Sequence, residues 1–139
     1  MTTPRKYEIL IVEDDAHERQ FITSAFLQHE PELIIEVAED GDDALTRLQN
    51  AKLPDLILFD LRMPKMDGFE FLDAIKQDPR LRSIPAIAFS ASEFPDDIKR
   101  SYASFANAYV MKPRSLRDYT NFAQTVINFW LHHTVRSYV

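Results

Sequence analysis

The sequence predicts an α/β fold in which one parallel sheet is covered by helices on both faces. Five short apolar segments alternate with five segments that carry apolar residues at helical spacing, and this alternation is typical of parallel sheets. The segment 84–89, Ile-Pro-Ala-Ile-Ala-Phe, is apolar throughout, as expected of a strand buried on both faces. We therefore predict a doubly wound sheet, in which ligands bind beyond the carboxyl ends of the strands.

Each predicted element follows from a local pattern. The predicted strands are 7–12, 33–38, 56–59, 84–89 and 108–111, and the predicted helices are 16–29, 43–49, 69–77, 96–106 and 115–133. The first helix carries apolar residues at helical spacing, and Pro31 prevents its continuation. Gly41 breaks the second strand before the short second helix, and Pro79 lies just beyond the third helix. The spacing of Ile98 and Tyr102 predicts the fourth helix.

Length, charge and composition exclude several classes of protein. The 139 residues, 45% of them hydrophobic, predict a single domain over residues 1–139. The net charge of −6 provides no basic surface for nucleic acid, and the absence of cysteine excludes disulfides and thiolate metal sites. The polar N-terminus lacks a signal peptide, and no apolar run approaches the roughly 20 residues that span a membrane. We expect a soluble, cytoplasmic protein with neither nucleic acid nor membrane as a partner.

Polar side chains follow four of the predicted strands. Glu13 and Asp14 follow the first strand and Asp60 follows the third. Ser90 follows the fourth strand and Lys112 the fifth. Because the carboxyl ends of parallel strands meet at one edge of a sheet, we expect these groups to converge. Three neighbouring carboxylates repel one another unless a cation joins them, and hard oxygen ligands suit Mg²⁺.

Each of these residues also has a purely structural interpretation. Asp14 or Asp15 could cap the helix that begins at residue 16, and Asp60 could initiate a turn. Ser90 could cap a helix, and Lys112 could be an ordinary surface lysine. Independent caps and turns have no reason to fall at the ends of these particular strands, so a common site is the favoured interpretation.

Four segments together resemble the receiver domain of bacterial two-component response regulators, the CheY-like family. They are Val-Glu-Asp-Asp at 12–15, Leu-Phe-Asp-Leu-Arg-Met-Pro-Lys-Met-Asp-Gly at 58–68, Ile-Pro-Ala-Ile-Ala-Phe-Ser-Ala at 84–91 and Tyr-Val-Met-Lys-Pro at 109–113. The resemblance spans residues 7–133. It implies a flavodoxin-like (βα)5 fold with the strand order 2-1-3-4-5, and a response regulator without an output domain.

The resemblance also implies a phosphorylation site and a metal site. Asp60 would accept a phosphoryl group from a sensor histidine kinase, with Mg²⁺ as the cofactor. Asp14 and Asp60 would bind the ion directly and Glu13 through water. The backbone carbonyl of Arg62 would be a further ligand. Because aspartate is already ionised at neutral pH, transfer to and from Asp60 would be self-catalysed by positioning and electrostatics, with no other enzymatic activity.

The resemblance implies three further roles around the phosphoryl group. Lys112 would pair with it, and the Lys112–Pro113 peptide bond would be cis. Ser90 would be the switch hydroxyl and Tyr109 the switch aromatic. If Ser90 moves toward the phosphoryl oxygens, Tyr109 can occupy the vacated space, and the surface of the fourth helix, fifth strand and final helix then changes shape. Tyr109 as an ordinary core aromatic is the alternative.

The final helix, 115–133, has an apolar stripe wider than packing on a sheet requires. At 100° per residue, its apolar residues cover about half of the circumference. Phe122, Phe129 and Trp130 are therefore predicted to form a symmetric homodimer together with the fourth helix and fifth strand. The alternative is a helix packed fully within the chain. This helix also resembles that of single-domain regulators which partner bacterial phytochromes, and this implies a phytochrome histidine kinase as the phosphodonor.

Other functions fit only part of the sequence. The fold could serve as an adaptor that works without phosphorylation. A haloacid-dehalogenase-like enzyme would need a second acid at the position of Arg62, and a flavin protein would need a Gly-rich loop, whereas the glycines are Gly41 and Gly68 alone. Arg62 and Ser92 depart from the residues common in receivers, and we expect them to alter the lifetime of the phosphorylated state. Solvated positions are expected for His17, His29, His132 and His133.

Overall fold

The computed structural model describes residues 6–50 and 52–135. Its strands are β1 (Glu8–Val12), β2 (Ile34–Ala38), β3 (Leu56–Phe59), β4 (Ala86–Ser90) and β5 (Ala108–Met111). They form one parallel sheet with the order β2-β1-β3-β4-β5. Its helices are α1 (Ala16–His29), α2 (Gly41–Arg47), α3 (Gly68–Gln77), α4 (Pro95–Ala103) and α5 (Leu116–Val126), and α5 continues as a π-helix (Ile127–His133). The predicted flavodoxin-like fold and strand order are confirmed.

The sheet is buried on both faces because successive side chains of each strand point to opposite sides. On one face, Leu10, Ile57 and Ala86 pack with the buried side chains of α2 and α3. On the other face, Ile11 and Leu58 pack with buried residues of α1 and α5. This two-sided burial explains why the central strands are continuously apolar.

The register of the strands aligns their carboxyl ends. Val12 of β1 lies opposite Phe59 of β3, and Ser90 of β4 lies opposite Met111 of β5. The residues that follow continue the ladder, since the amide of Asp60 donates to the carbonyl of Val12 at 3.0 Å and the amide of Lys112 donates to Ser90 at 2.9 Å. The sheet therefore delivers its strand-end residues to one rim.

Local capping shifts several element boundaries from those predicted. Asp40 accepts a hydrogen bond from the amide of Asp43 at 2.8 Å, so α2 begins at residue 41 rather than 43. A capping box between Asp67 and Glu70 starts α3. β4 begins at residue 86 rather than 84, because Pro85 has no amide proton to continue the ladder.

The fourth helix ends three residues earlier than predicted. Phe105 lies in the left-handed region with a φ of 72°, and the amide of Ala106 donates to the carbonyl of Ser101 at 3.0 Å. This is the hydrogen bond of a Schellman helix end, in which glycine normally takes the left-handed position. At the adjacent sheet edge, the amide of Tyr109 donates to the hydroxyl oxygen of Tyr102 at 3.0 Å.

The final helix differs most from its prediction. Beyond Val126 the backbone widens, and the amide of Thr134 bonds to the carbonyl of Phe129 at 2.9 Å. A wider turn adds a residue to the repeat, so Ile127 and Leu131 are buried while Phe129 faces solvent with 53% of its surface exposed. A uniform rotation of 100° per residue is therefore wrong after residue 126.

Two histidines join elements rather than lying fully in solvent. The Nε2 atom of half-buried His29 is 2.9 Å from the carbonyl oxygen of Thr120 in α5. The ring of His132 lies 5.6 Å from that of Tyr7, and its Nε2 atom is 3.9 Å from a carboxylate oxygen of Glu30. The expectation of solvation is therefore wrong for His29. None of the helices in the described part of the chain has the length and apolar content needed to cross a bilayer.

Candidate functional site

The strand ends bring together one ammonium group and two carboxylates. The ammonium group of Lys112 donates to Glu13 Oε1 at 2.6 Å and to Asp60 Oδ2 at 3.0 Å. All three side chains are nearly buried, with exposed fractions of 12% for Lys112, 2% for Glu13 and 10% for Asp60. Buried charges require partners, and here one cation bridges two carboxylates. The pairing of Lys112 with Glu13 was not predicted from the sequence.

Burial and neighbouring charges shift the pKa values of Glu13 and Lys112. Burial, together with the nearby charge of Asp60, raises the pKa of Glu13 to about 7, although the hydrogen bond from Lys112 opposes this. Burial alone would lower the pKa of Lys112, but the hydrogen bond to Glu13 and the charges of Asp60 and Glu13 raise it. Lys112 is thus held in its charged form, and the carboxylates around it favour a further cation.

Three carboxylates can supply hard oxygen ligands. Glu13, Asp14 and Asp60 each place one carboxylate oxygen within 4.8 Å of the others. Asp14 is exposed, whereas the second oxygen of Asp60 accepts the amide of Leu61 at 2.7 Å. An all-oxygen donor set that combines exposed and buried carboxylates suits Mg²⁺ or Mn²⁺, which retain waters and take few protein ligands. The residues therefore fit a divalent cation.

The loop after β1 separates capping from the acidic cluster. Asp15 caps α1, accepting the amides of His17 at 2.8 Å and Glu18 at 3.2 Å. These bonds lower the pKa of Asp15. Of the two capping alternatives, Asp15 is therefore the cap, and the carboxylate of Asp14 belongs to the acidic cluster. Arg19, which sequence reasoning missed, fixes this loop by donating to the carbonyls of Glu13 at 2.8 Å and Asp14 at 3.0 Å.

Gly68 lets α3 pack closely against the backbone of Asp60. A Cβ atom at this position would lie 2.6 Å from Leu61 Cα and closer still to the carbonyl oxygen of Asp60. The amide of Gly68 donates to the carbonyl of Leu61 at 2.9 Å. Only glycine permits this close approach of α3 to the backbone of Asp60. The sequence carried a signal for it, because this is one of two glycines in the chain.

Ser90 and Tyr109 meet at the loop that follows β4. Ser90 is buried, and its Oγ accepts the amide of Ser92 at 3.1 Å. The hydroxyl of half-buried Tyr109 donates to the carbonyl of Ser92 at 2.8 Å. The N-cap of α4 is Phe94, without a side-chain cap, so the interpretation of Ser90 as a helix cap is wrong. Ser92 links the two residues that the sequence singled out as a switch.

Arg62 turns away from Asp60 and binds the first turn of α4. Its Nη2 atom donates to both carboxylate oxygens of Asp97, at 3.0 and 2.8 Å. The hydroxyl of Ser92 donates to the same carboxylate at 2.6 Å. Sequence reasoning missed Asp97, which is 35 residues from Arg62 and carries no motif.

One expectation about the backbone is wrong. No peptide bond in residues 6–50 and 52–135 is cis, so the Lys112–Pro113 bond is trans. The trans form is the lower in energy for a bond before proline, and Lys112 already reaches Glu13 and Asp60 from it. The backbone carbonyl of Arg62 as a metal ligand stays a prediction.

A cavity of about 740 Å³ opens above Asp60. We call it the strand-end cavity, and its lining consists of Asp60, Arg62, residues 90–95, Lys112 and Arg114. Three of these side chains are basic, whereas Phe94 and Pro95 are apolar. The floor thus combines a buried carboxylate with an ammonium group, and each of the two arginines in the walls is paired with a carboxylate, Arg62 with Asp97 and Arg114 with Glu93.

A doubly wound sheet with an acidic site at its carboxyl rim defines a flavodoxin-like α/β protein. Residues 9–124 match the response regulator receiver domain family. The chain belongs to this family, and it is therefore a receiver-domain response regulator of two-component signalling.

Two curated relatives cover most of the chain. The probable methanogenesis regulatory protein FilR2 of Methanothrix harundinacea is 37% identical over 128 residues, which are 88% of this chain and 83% of FilR2. The response regulator Rcp1 of Synechocystis is 35% identical over 129 residues, which are 88% of each chain. Both matches extend over nearly the full length of the relatives.

Solved structures of similar proteins have the same fold. The phosphorylated cyanobacterial phytochrome response regulator RcpA has a TM-score of 0.90 and 33% identity, covering 96% of this chain and 100% of RcpA. The Mn²⁺-bound form of Rcp1 has a TM-score of 0.85 and 33% identity, covering 95% and 99% of the two chains. The similarity thus includes a phosphorylated and a metal-bound relative.

Proposed function

We propose that this protein accepts a phosphoryl group on Asp60 and that Lys112 and Ser90 assist the transfer. The observation that carries the proposal is the position of Asp60. Its carboxylate lies on the floor of the strand-end cavity, with one oxygen 3.0 Å from the ammonium of Lys112. A nucleophile needs an open approach, and developing negative charge needs a fixed cation. Asp60 has both.

The transfer forms a bond between a carboxylate oxygen of Asp60 and phosphorus and breaks the bond to the donor. If the donor is a phosphohistidine, the imidazole leaves with a proton. Lys112 would move its hydrogen bonds toward a phosphoryl oxygen, and the hydroxyl of Ser90, at present an acceptor from Ser92, is free to donate to another. These roles are positioning and charge stabilisation, as phosphoryl transfer requires.

The proposed cofactor is Mg²⁺, held by Asp14 and Asp60, with Glu13 through water and the Arg62 carbonyl as a further ligand. The three carboxylate oxygens within 4.8 Å of one another support this set, as does the Mn²⁺-bound form of the relative Rcp1. When bound, the ion would supply positive charge that offsets the charge of the carboxylates and of the phosphoryl group. The site residues of this chain would hold the ion and orient the acceptor carboxylate.

The proposed phosphodonor is a sensor histidine kinase that is joined to a phytochrome. The similarity to RcpA, described as a phytochrome response regulator, supports a light-sensing kinase. We further propose that the protein works in the cytoplasm, where such kinases present their phosphohistidine. That residues 1–139 form a single receiver domain stays a prediction.

The proposed output surface consists of α4, β5 and α5. Phe122 stacks on Phe89 with ring centroids 4.6 Å apart, while Phe129 and Trp130 form the rim of a groove of about 370 Å³. Tyr102 of α4, Phe105 just after α4 and Met111 of β5 are exposed. Exposed apolar side chains on these elements support an interaction site, and a symmetric homodimer would cover them.

Phosphorylation by acetyl phosphate tests the proposed function directly. Wild-type protein with Mg²⁺ should gain one phosphoryl group by intact mass, and peptide mapping should place it on Asp60. The Asp60→Asn variant should gain none. Asp73→Asn, which changes an exposed carboxylate of α3, should behave as the wild type. A wild-type protein that takes up no phosphoryl group or beryllofluoride would instead favour the adaptor that works without phosphorylation.

A further inference from the structure

Asp97 holds two polar groups that line the strand-end cavity. It accepts both hydrogen bonds of the Arg62 guanidinium, at 3.0 and 2.8 Å, and the hydroxyl of Ser92, at 2.6 Å. Only 13% of the Asp97 side chain is exposed, whereas 65% of Arg62 is. The anchoring carboxylate is therefore largely buried in α4, and the guanidinium that it holds belongs to an exposed side chain.

The three cations of the cavity differ in how they are engaged. Lys112 is bound to Glu13 and Asp60 on the floor. Arg114 lies at the outer rim, 3.4 Å from Glu93. Arg62 is two residues beyond Asp60 in the chain, yet its charge is directed to α4. Among these three cations, Arg62 is thus the one whose carboxylate partner, Asp97, lies outside the lining of the cavity.

A carboxylate and a phosphoryl group compete for the same guanidinium. Arginine hydrogen-bonds both kinds of anion, so the Nη2 group that donates to both oxygens of Asp97 is not available to an incoming phosphodonor. The bond from Ser92 holds the Asp97 carboxylate in place, and together with the contacts from Arg62 it lowers the pKa of Asp97 and keeps the group ionised. Arg100 adds a second positive charge nearby, with its guanidinium 4.1 Å from the ring centre of Phe69.

We propose that Asp97 is a positioning residue that withholds Arg62 from the phosphoryl site and so slows phosphoryl uptake by Asp60. This rests on the proposed function of Asp60. It differs from a direct catalytic role, because Asp97 acts only through Arg62. The same contact ties phosphorylation to α4, since an Arg62 drawn to the phosphoryl group leaves Asp97, and coupling of this kind is reciprocal.

The test compares Asp97→Asn with Asp96→Asn. Both variants remove one negative charge from the first turn of α4, but Asp96 is exposed and precedes the anchor by one residue. We measure the rate of phosphoryl uptake from acetyl phosphate and the affinity for beryllofluoride with Mg²⁺. Asp97→Asn should raise both about fivefold, the effect expected of one partly exposed ion pair, and Asp96→Asn should change them less than twofold.

A background without the guanidinium identifies the route of the effect. Asp97→Asn should make no difference to uptake when combined with Arg62→Met. Ser92→Ala alone should weaken the anchor and raise uptake about twofold. Thermal unfolding of each variant identifies any that fails to fold, and Arg62→Met with intact Asp97 then provides the independent comparison.

Three results would overturn the inference. They are an Asp97→Asn effect no larger than that of Asp96→Asn, a slower uptake in Asp97→Asn, and an effect that persists in the Arg62→Met background. Failure of the proposed function has a different signature, because the wild-type protein would then show no phosphoryl uptake at Asp60 in the same assay.

Discussion

The hydroxyl of Tyr109 donates a hydrogen bond to the carbonyl oxygen of Ser92 at 2.8 Å, so an aromatic side chain of β5 holds the loop between β4 and α4. The same loop residue donates its amide to Ser90. The position of Tyr109 and the shape of this loop are therefore linked in the unmodified protein.

Tyr109→Phe should loosen this loop. Loss of one partly buried hydrogen bond should lower the free energy of unfolding by about 1 kcal/mol, and hydrogen exchange should quicken in residues 91–94. The matched control is Tyr119→Phe, which removes the same atom and its 2.7 Å bond to Glu18 on the other face of the sheet. It should cost similar stability without faster exchange in 91–94. Unchanged exchange there in Tyr109→Phe would contradict the link.

Asp14 and Asp15 should separate metal binding from helix capping. Asp14→Asn should weaken Mn²⁺ binding about tenfold or more, because it removes one charged oxygen ligand from the cluster. Titration calorimetry measures this affinity. Its stability without metal should change little because the side chain is exposed. Asp15→Asn should retain both metal binding and most of the cap, whereas Asp15→Ala should lose the cap, lower the midpoint of urea unfolding and still bind the ion. Equal metal affinity in wild type and Asp14→Asn would refute the ligand assignment.

Gly68→Ala should distort the site through its backbone. The added Cβ would overlap the backbone of residues 60 and 61, and an overlap with backbone costs on the order of 3 kcal/mol, at the upper end for overpacked positions. Urea unfolding measures the loss. Gly41→Ala is the control, because its nearest neighbour is the flexible side chain of Met66 at 2.8 Å, and it should cost less. Equal costs would mean that the contact beneath Asp60 relaxes freely.

Phe129→Ser should weaken the proposed homodimer. Truncation of an exposed aromatic at the centre of an interface typically costs more than 1 kcal/mol, so sedimentation should show the dissociation constant rising about tenfold. Phe21→Ser is the matched control, since Phe21 is 42% exposed on α1, outside the proposed surface. The interface would lie elsewhere if Phe21→Ser dissociated the dimer and Phe129→Ser did not. A wild type that stays monomeric, with and without beryllofluoride, would exclude the dimer.

The sequence predicted the fold and the convergence of Glu13, Asp14, Asp60 and Lys112 because these depend on local patterns. Apolar strands that end in polar residues specify both the sheet and its rim. The contact between Arg62 and Asp97 was beyond such reasoning, since it joins the loop after β3 to the first turn of α4 through tertiary packing. The widened turn after Val126 was also missed, because helical periodicity assumes a constant rotation. Capping explains the earlier starts of α2 and α3, and Pro85 explains the later start of β4.

The hydroxyl oxygen of Tyr102 accepts a hydrogen bond from the amide of Tyr109. Part of the free edge of the sheet is therefore already hydrogen-bonded. A sixth strand cannot pair through that amide, so two copies that meet at this side must join through side chains and not as one continuous ten-stranded ribbon. The same obstruction protects the folded chain against edge-to-edge stacking with partly unfolded neighbours.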